Sequence, residues 1–244
     1  MTSFIGTQLP SPAGILELSE DDLGLRLLRL IVEHKQGHLL NRHDIGLVGT
    51  WAELGPEATT DEFLQAIIEA WEWLAVQRLV ARVPADHSER AFVTRRGYRI
   101  LEADDGLALL RAEARIGVDL HPLIQRRVRR QFFLSEYEAA ALLALKQVEI
   151  RVRQVSGASE GDIGVKLMRK AFKSDGLLSD PEQEAGEQEA TSALFAGAIG
   201  VFKNPSSHRE VQFDDPTYAS EVVLLADLLL RMLDRIEARL QGAP

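Results

Sequence analysis

Lys203 and His208 stand on either side of Asn204, Pro205, Ser206 and Ser207, at the end of a small-residue-rich run that begins near Glu184. An imidazole gains or loses a proton near neutrality, an ammonium is a compact fixed cation, and an amide can hold a phosphate oxygen. Together these groups could cleave a ribose-phosphate backbone without a metal. A base takes the 2′-OH proton, an acid protonates the leaving 5′ oxygen, and a cation stabilises the crowded phosphate. His208 would be base or acid, Lys203 the cation, and Asn204 the group that holds a phosphate oxygen or orients His208. Pro205 cannot sit inside a helix, so it must interrupt or restart one, with Asn204 as cap. A restarted turn would put Asn204 and His208 on one face, about 40° apart, with free amides that favour an anion. The same residues also read as a helix-end kink with a surface lysine and histidine, which is the commoner occurrence of such a pair.

Composition restricts what can surround them. The chain has 244 residues, 45% hydrophobic and 27% charged, enough for one large or two small domains with real cores. With no cysteine, disulfides and thiolate metal sites are excluded. No cofactor and no metal is expected. The start, MTSFIGTQLPSPAG, lacks the basic opening and unbroken apolar core of a signal peptide. No apolar run approaches the length needed to cross a bilayer, so no membrane contact is expected, and the lack of cysteine points to a cytoplasmic setting. A formal net charge of -9 argues against a broad polynucleotide-coating surface but leaves a small focused RNA site open.

Stepping along the chain, residues 1–19 read as an arm. Residues 20–105 read as a compact domain. Ser19 ahead of Glu20-Asp21-Asp22 opens a helix with Leu23, Leu27, Leu30 and Ile31 on one face, and Asn41 is placed to cap a second one. Thr60-Asp61 starts a third, with Phe63, Ile67, Trp71 and Leu74 in register. Leu79–Val83 and Ala91–Thr94 form a hairpin, and a final short helix follows from Gly97. Three helices plus a hairpin resemble a winged helix, an architecture that commonly reads DNA with its third helix. Here that helix carries Asp61, Glu62, Glu69 and Glu72, which would face phosphates, while Arg90, Arg95, Arg96 and Arg99 gather on the wing. A protein partner or a dimer-positioning role is therefore favoured over DNA.

Residues 106–130 read as a helical connector ending in Arg126, Arg127, Arg129 and Arg130, either a solvated face that offsets the acidic surface or an RNA-contacting edge. The solvated face is the favoured reading. His121-Pro122 is a helix start. Residues 131–244 read as a four-helix bundle. Ser135-Glu136-Tyr137-Glu138 fits a capping box opening a helix to about Val155 that Ser156-Gly157 ends, and Gly161-Asp162 precedes a shorter one. Asp180-Pro181 starts the third, whose Gly197 and Gly200 imply close approach of a neighbour. The last, Tyr218 to Leu240, is apolar nearly all round, which predicts a homodimer through the bundle.

The region from Arg130 to Leu240 resembles the C-terminal domain of the Ymh-type family, within the HEPN superfamily of helical ribonucleases. The resemblance rests on Gly164-Val165-Lys166-Leu167-Met168, Glu187-Gln188-Glu189, Leu194-Phe195-Ala196-Gly197-Ala198 and Phe202-Lys203-Asn204-Pro205-Ser206-Ser207-His208-Arg209. It implies a HEPN-like bundle, dimeric, cutting RNA without metal in a prokaryotic conflict or antiphage setting. HEPN sites carry Arg, often followed by Asn, then His after four to six residues. Here the spacing is kept and the arginine has become Lys203, which keeps the charge and loses the bidentate fork. The alternative is a non-catalytic regulator whose winged helix binds DNA and whose bundle only dimerises or senses a ligand.

Overall fold

The computed structural model describes residues 9–35, 40–41, 51, 54–84, 90–117, 119–203 and 214–242. The fold is mainly α-helical and divides into two compact units, 1–110 and 111–244.

In the first unit, helix α1 (Pro12–Leu16) begins at Ser11, whose hydroxyl accepts from the Gly14 amide. The stretch expected as a plain arm therefore contains a turn of helix, because Leu9 and Ile15 have apolar surface to bury and are 5% and 0% exposed. Helix α2 (Glu20–Lys35) buries Leu23, Leu27, Leu30 and Ile31, as its spacing predicts. The next element differs from expectation. Leu40–Asn41 is a short strand, β1, so Asn41 pairs with Arg90 across a sheet. Most of the second helix lies outside the described residues. Trp51 is buried edge-on to Phe63, ring centroids 6.0 Å apart.

Thr60 caps helix α3 (Asp61–Val76), which buries Phe63, Ile67, Trp71 and Leu74. It packs against α2 at Gly24, where an added Cβ would come within 2.6 Å of the Trp73 ring. Helix α3 ends with Arg78 at φ +58°, its amide bonded to Ala75 O and that of Leu79 to Leu74 O. That pattern is a Schellman stop with arginine where glycine is usual. Strands β2 (Val80–Arg82) and β3 (Arg90–Val93) pair antiparallel, and the sheet order is β1-β3-β2. Thr94 Oγ1 donates to Arg78 O and accepts from Gly97 N, tying the end of α3 to helix α4 (Arg95–Glu102).

The division between units falls inside helix α5 (Gly106–Gly117). In the second unit, Ala112, Ile116, Leu120, Ile124, Val128 and Phe132 are all part of one apolar core. Four of these come from the 106–130 stretch in α5 or in helix α6 (Pro122–Phe133). Helix α7 (Tyr137–Ser156) runs through the middle, burying Ala140, Ala141, Ala144, Leu145, Val148 and Val152. Its start departs from the expected capping box. Ser135 is in the left-handed region at φ +62°, and Glu136 caps by position with no side-chain bond. Gly157, at φ +61°, closes the helix as predicted.

Helix α8 (Gly164–Phe172) follows, and Phe172 stacks on Phe195 at 4.3 Å. Helix α9 (Ala185–Ala198) begins four residues later than Asp180-Pro181 implied. Asp180 caps a turn instead, accepting from Glu182 N, while its carboxylate pairs with Arg239. The Glu187 carboxylate accepts from Glu184 N at the true start. Helix α10 (Pro216–Leu240) is capped by Asp215 and buries Ala219, Val222, Val223, Ala226, Leu229, Leu230 and Leu233. No helix among the described residues is long and apolar enough to cross a membrane.

Candidate functional site

The centre of the site is a carboxylate on the buried face of α7. Val148 and Val152 continue the apolar stripe, and Glu149 interrupts it, only 6% exposed. Removing a carboxylate from water is costly unless its lone pairs are satisfied. Glu149 Oε2 accepts from the Lys203 ammonium at 2.9 Å and from the Gly164 amide at 2.9 Å. Oε1 accepts from Arg153, one turn further along α7, at 3.0 Å. Burial by itself would raise the Glu149 pKa. The Lys203 ammonium, the Gly164 amide and the Arg153 guanidinium outweigh it and hold the carboxyl below its ordinary range.

These partners come from three places in the chain. Gly164 opens α8 at φ +60°, a conformation that presents its amide to Glu149 at little steric cost. Arg153 also donates to the Asp162 carbonyl at 3.1 Å. Asp162 in turn accepts from Lys170 at 2.7 Å and Ser159 at 3.0 Å, and these bonds lower its pKa. The loop between α7 and α8 is thus bound on both sides to the same ionic cluster.

Lys203 arrives from α9 through a single π-helical turn, Ile199–Lys203. A proline at position 205 would clash with the carbonyl four residues back, Val201, if the α-helix continued. The π turn widens the helix ahead of that position, and such turns recur at functional sites. Ile199 is fully buried and anchors the turn, and Lys203 is 20% exposed at its end. The sequence-predicted cation is therefore fixed at a defined point by a buried acid. Asn204 and His208 lie outside the described residues, as does the expected restart at Asn204-Pro205.

The helix leading to this point presents a shallow groove lined by Val165, Arg169, Ala193, Ala196, Gly197 and Gly200. The two glycines do not mark the close approach expected within the chain. Among the described residues, a Cβ at Gly197 would meet nothing within 4 Å, and one at Gly200 only the Val165 side chain at 3.1 Å. Val201 and Leu194 are 60% and 41% exposed beside them. Apolar surface thus remains uncovered here.

The other polar cluster of this unit accounts for His121. Its ring Nδ1 accepts from Leu123 N at the start of α6, which leaves Nε2–H to donate to Asp234 at 2.8 Å. Its backbone amide donates to Asp227, which also holds Arg231 at 2.8 Å. His121 caps the helix start read from the sequence, and the structure adds that it is buried. Among the described residues, no three His, Asp or Glu side chains converge as metal ligands.

Glu149 was not singled out from the sequence. The available signal was a charged residue on an otherwise apolar helical face, seven residues after Leu142 and one after Val148. Its partner Lys203 could not be identified that way, because the two are separated by two further helices.

Residues 118–233 match the family described as "Protein of unknown function (Hypoth_ymh)", which supports the Ymh-type resemblance. No curated protein and no solved structure matches the chain.

Proposed function

We propose that this chain is a metal-independent endoribonuclease of the HEPN type, dimeric through its second unit, in a prokaryotic conflict or antiphage setting. The observation that carries the reading is the Glu149–Lys203 pair at the end of the π turn. It fixes, at the edge of a packed helical core, the residue from which the Asn204–His208 segment departs. The match over residues 118–233 supports the Ymh-type part of the resemblance from which this reading is drawn.

In the reaction, a base removes the 2′-OH proton, the 2′ oxygen attacks phosphorus, and the P–O5′ bond breaks. The 5′ oxygen takes a proton, leaving a 2′,3′-cyclic phosphate and a 5′-OH. His208 serves as base or acid. Lys203 supplies positive charge, oriented by its bond to Glu149, and Asn204 holds a phosphate oxygen or orients His208. A second copy seats on the groove beside Gly197 and covers Val201 and Leu194.

On this reading the first unit is a winged helix, with α3 in the recognition position and β2–β3 as the wing. Asp61, Glu62, Glu69 and Glu72 are all exposed on α3, which opposes approach to phosphates. That unit positions or regulates the nuclease through a protein contact. The alternative, a DNA-reading regulator without catalysis, requires salt-dependent binding of a defined duplex that is lost when Arg95 and Arg96 are replaced.

The test is cleavage of a single-stranded RNA in excess EDTA, followed by end-group analysis. Wild type should release cyclic-phosphate ends, and His208→Ala should lower the rate by about 100-fold or more. Absence of cleavage, or cleavage that survives His208→Ala, refutes the proposal.

A further inference from the structure

Helix α6 carries four arginines and no acid: PLIQRRVRRQFF. Arg126, Arg127 and Arg130 are exposed, and among the described residues none of them has a carboxylate partner. Arg129 donates to the Gly117 carbonyl rather than to an acid. Arg126 lies three and four residues before Arg129 and Arg130, and Arg127 three before Arg130, so like charges face one another along one side of the helix. Only Arg130 lies in the last turn, where the helix dipole favours a cation.

In a chain of net charge -9 with 37 acidic residues, carboxylates were abundant as partners. A merely solvated face would be expected to interleave acids with the arginines. Instead, like-charged guanidinium groups sit side by side in water, and a polyanion laid along the helix would turn their mutual repulsion into attraction. The same face exposes Leu123, Phe133 and Leu134 at 46%, 37% and 60%. An aromatic ring beside guanidinium groups is the combination on which unpaired bases stack while the backbone is neutralised.

We infer that the exposed face of α6 is a single-stranded RNA-binding surface, with Arg126, Arg127 and Arg130 on phosphates and Phe133 on a base. This rests on the ribonuclease reading for the choice of RNA as the polyanion. The opposite face of α6, Ile124, Val128 and Phe132, is locked in the core, so the arginines are displayed from a rigid support.

The experiment uses the full chain carrying His208→Ala, so that RNA is bound but not cut. Anisotropy of a labelled 20-nucleotide single strand is followed from low to high salt. Replacing Arg126, Arg127 and Arg130 with glutamine should reduce the slope of log K against log salt by about 2, and weaken binding by about 100-fold at 0.1 M salt. The triple lysine variant should keep the slope, because lysine preserves the charge. Phe133→Ala should weaken binding with the slope unchanged. An unchanged slope in the glutamine variant overturns the inference, as does loss of the slope in the lysine variant. Arginine-dependent binding to anionic lipid vesicles, with RNA binding insensitive to the same changes, overturns it in favour of a membrane surface. Salt-dependent binding without any cleavage by the unmutated chain would sink the nuclease reading and leave this surface standing.

Discussion

Replacing Lys203 by methionine keeps the unbranched stem but for its last atom and removes the charge that Glu149 holds at 2.9 Å. Glu149 then keeps Arg153 and the Gly164 amide but loses one charge-assisted bond, worth about 1.5–3 kcal/mol at such a site. The loss stays below the roughly 3–5 kcal/mol seen when a fully buried pair loses one member, because two donors remain and Lys203 is 20% exposed. A destabilisation of about 2 kcal/mol follows, a fall in melting temperature on the order of 6–10 °C for a unit of this size. Glu149→Gln removes the anion from two cations at once and should cost about 3 kcal/mol. The pair is measured by a double-mutant cycle in urea. Lys203→Met on the Glu149→Gln background should cost under about 0.5 kcal/mol, giving a coupling near 1.5–2 kcal/mol. Additive effects, or a single-variant cost typical of a surface ion pair, about 0–1 kcal/mol, would refute the view that Glu149 fixes the π turn.

Two other outcomes follow from the same structure. The Glu149 pKa is lowered in the folded chain, so its stabilising share is complete above the ordinary glutamate value of 4.5. It is lost as pH falls below that value toward the depressed one, and acid titration of stability should be shallower there in Glu149→Gln. Arg78→Gly should stabilise the first unit by about 0.5–1 kcal/mol, since arginine at φ +58° occupies a position glycine takes without strain. A urea midpoint that falls in this variant would mean the arginine side chain holds that stop.

Much of the fold was legible locally. The Phe63, Ile67, Trp71 and Leu74 spacing, the Thr60 cap and the Gly157 stop each depend on neighbours within about one or two turns, and all appear as read. The misreadings involve choices between competing local signals. Ser135 could cap through a box but is left-handed, and Asp180-Pro181 could open a helix but makes a turn held by Arg239. Asn41 could cap a helix but pairs with Arg90, because a strand partner 49 residues away outweighs a local preference.

The candidate site divides the same way. The residue types and spacing of Lys203, Asn204 and His208, and the need for the helix to break before Pro205, belong to the sequence, since side-chain chemistry and proline geometry are properties of the chain alone. Which groups surround Lys203 does not. Glu149 reaches it across two intervening helices, and its charge is tolerated only because packing delivers Lys203, Arg153 and the Gly164 amide to one buried carboxylate. The arginines of α6 were visible as a run. That Arg126, Arg127 and Arg130 have no carboxylate partner among the described residues, and share one face with Phe133, is decided by which side of the helix the core takes.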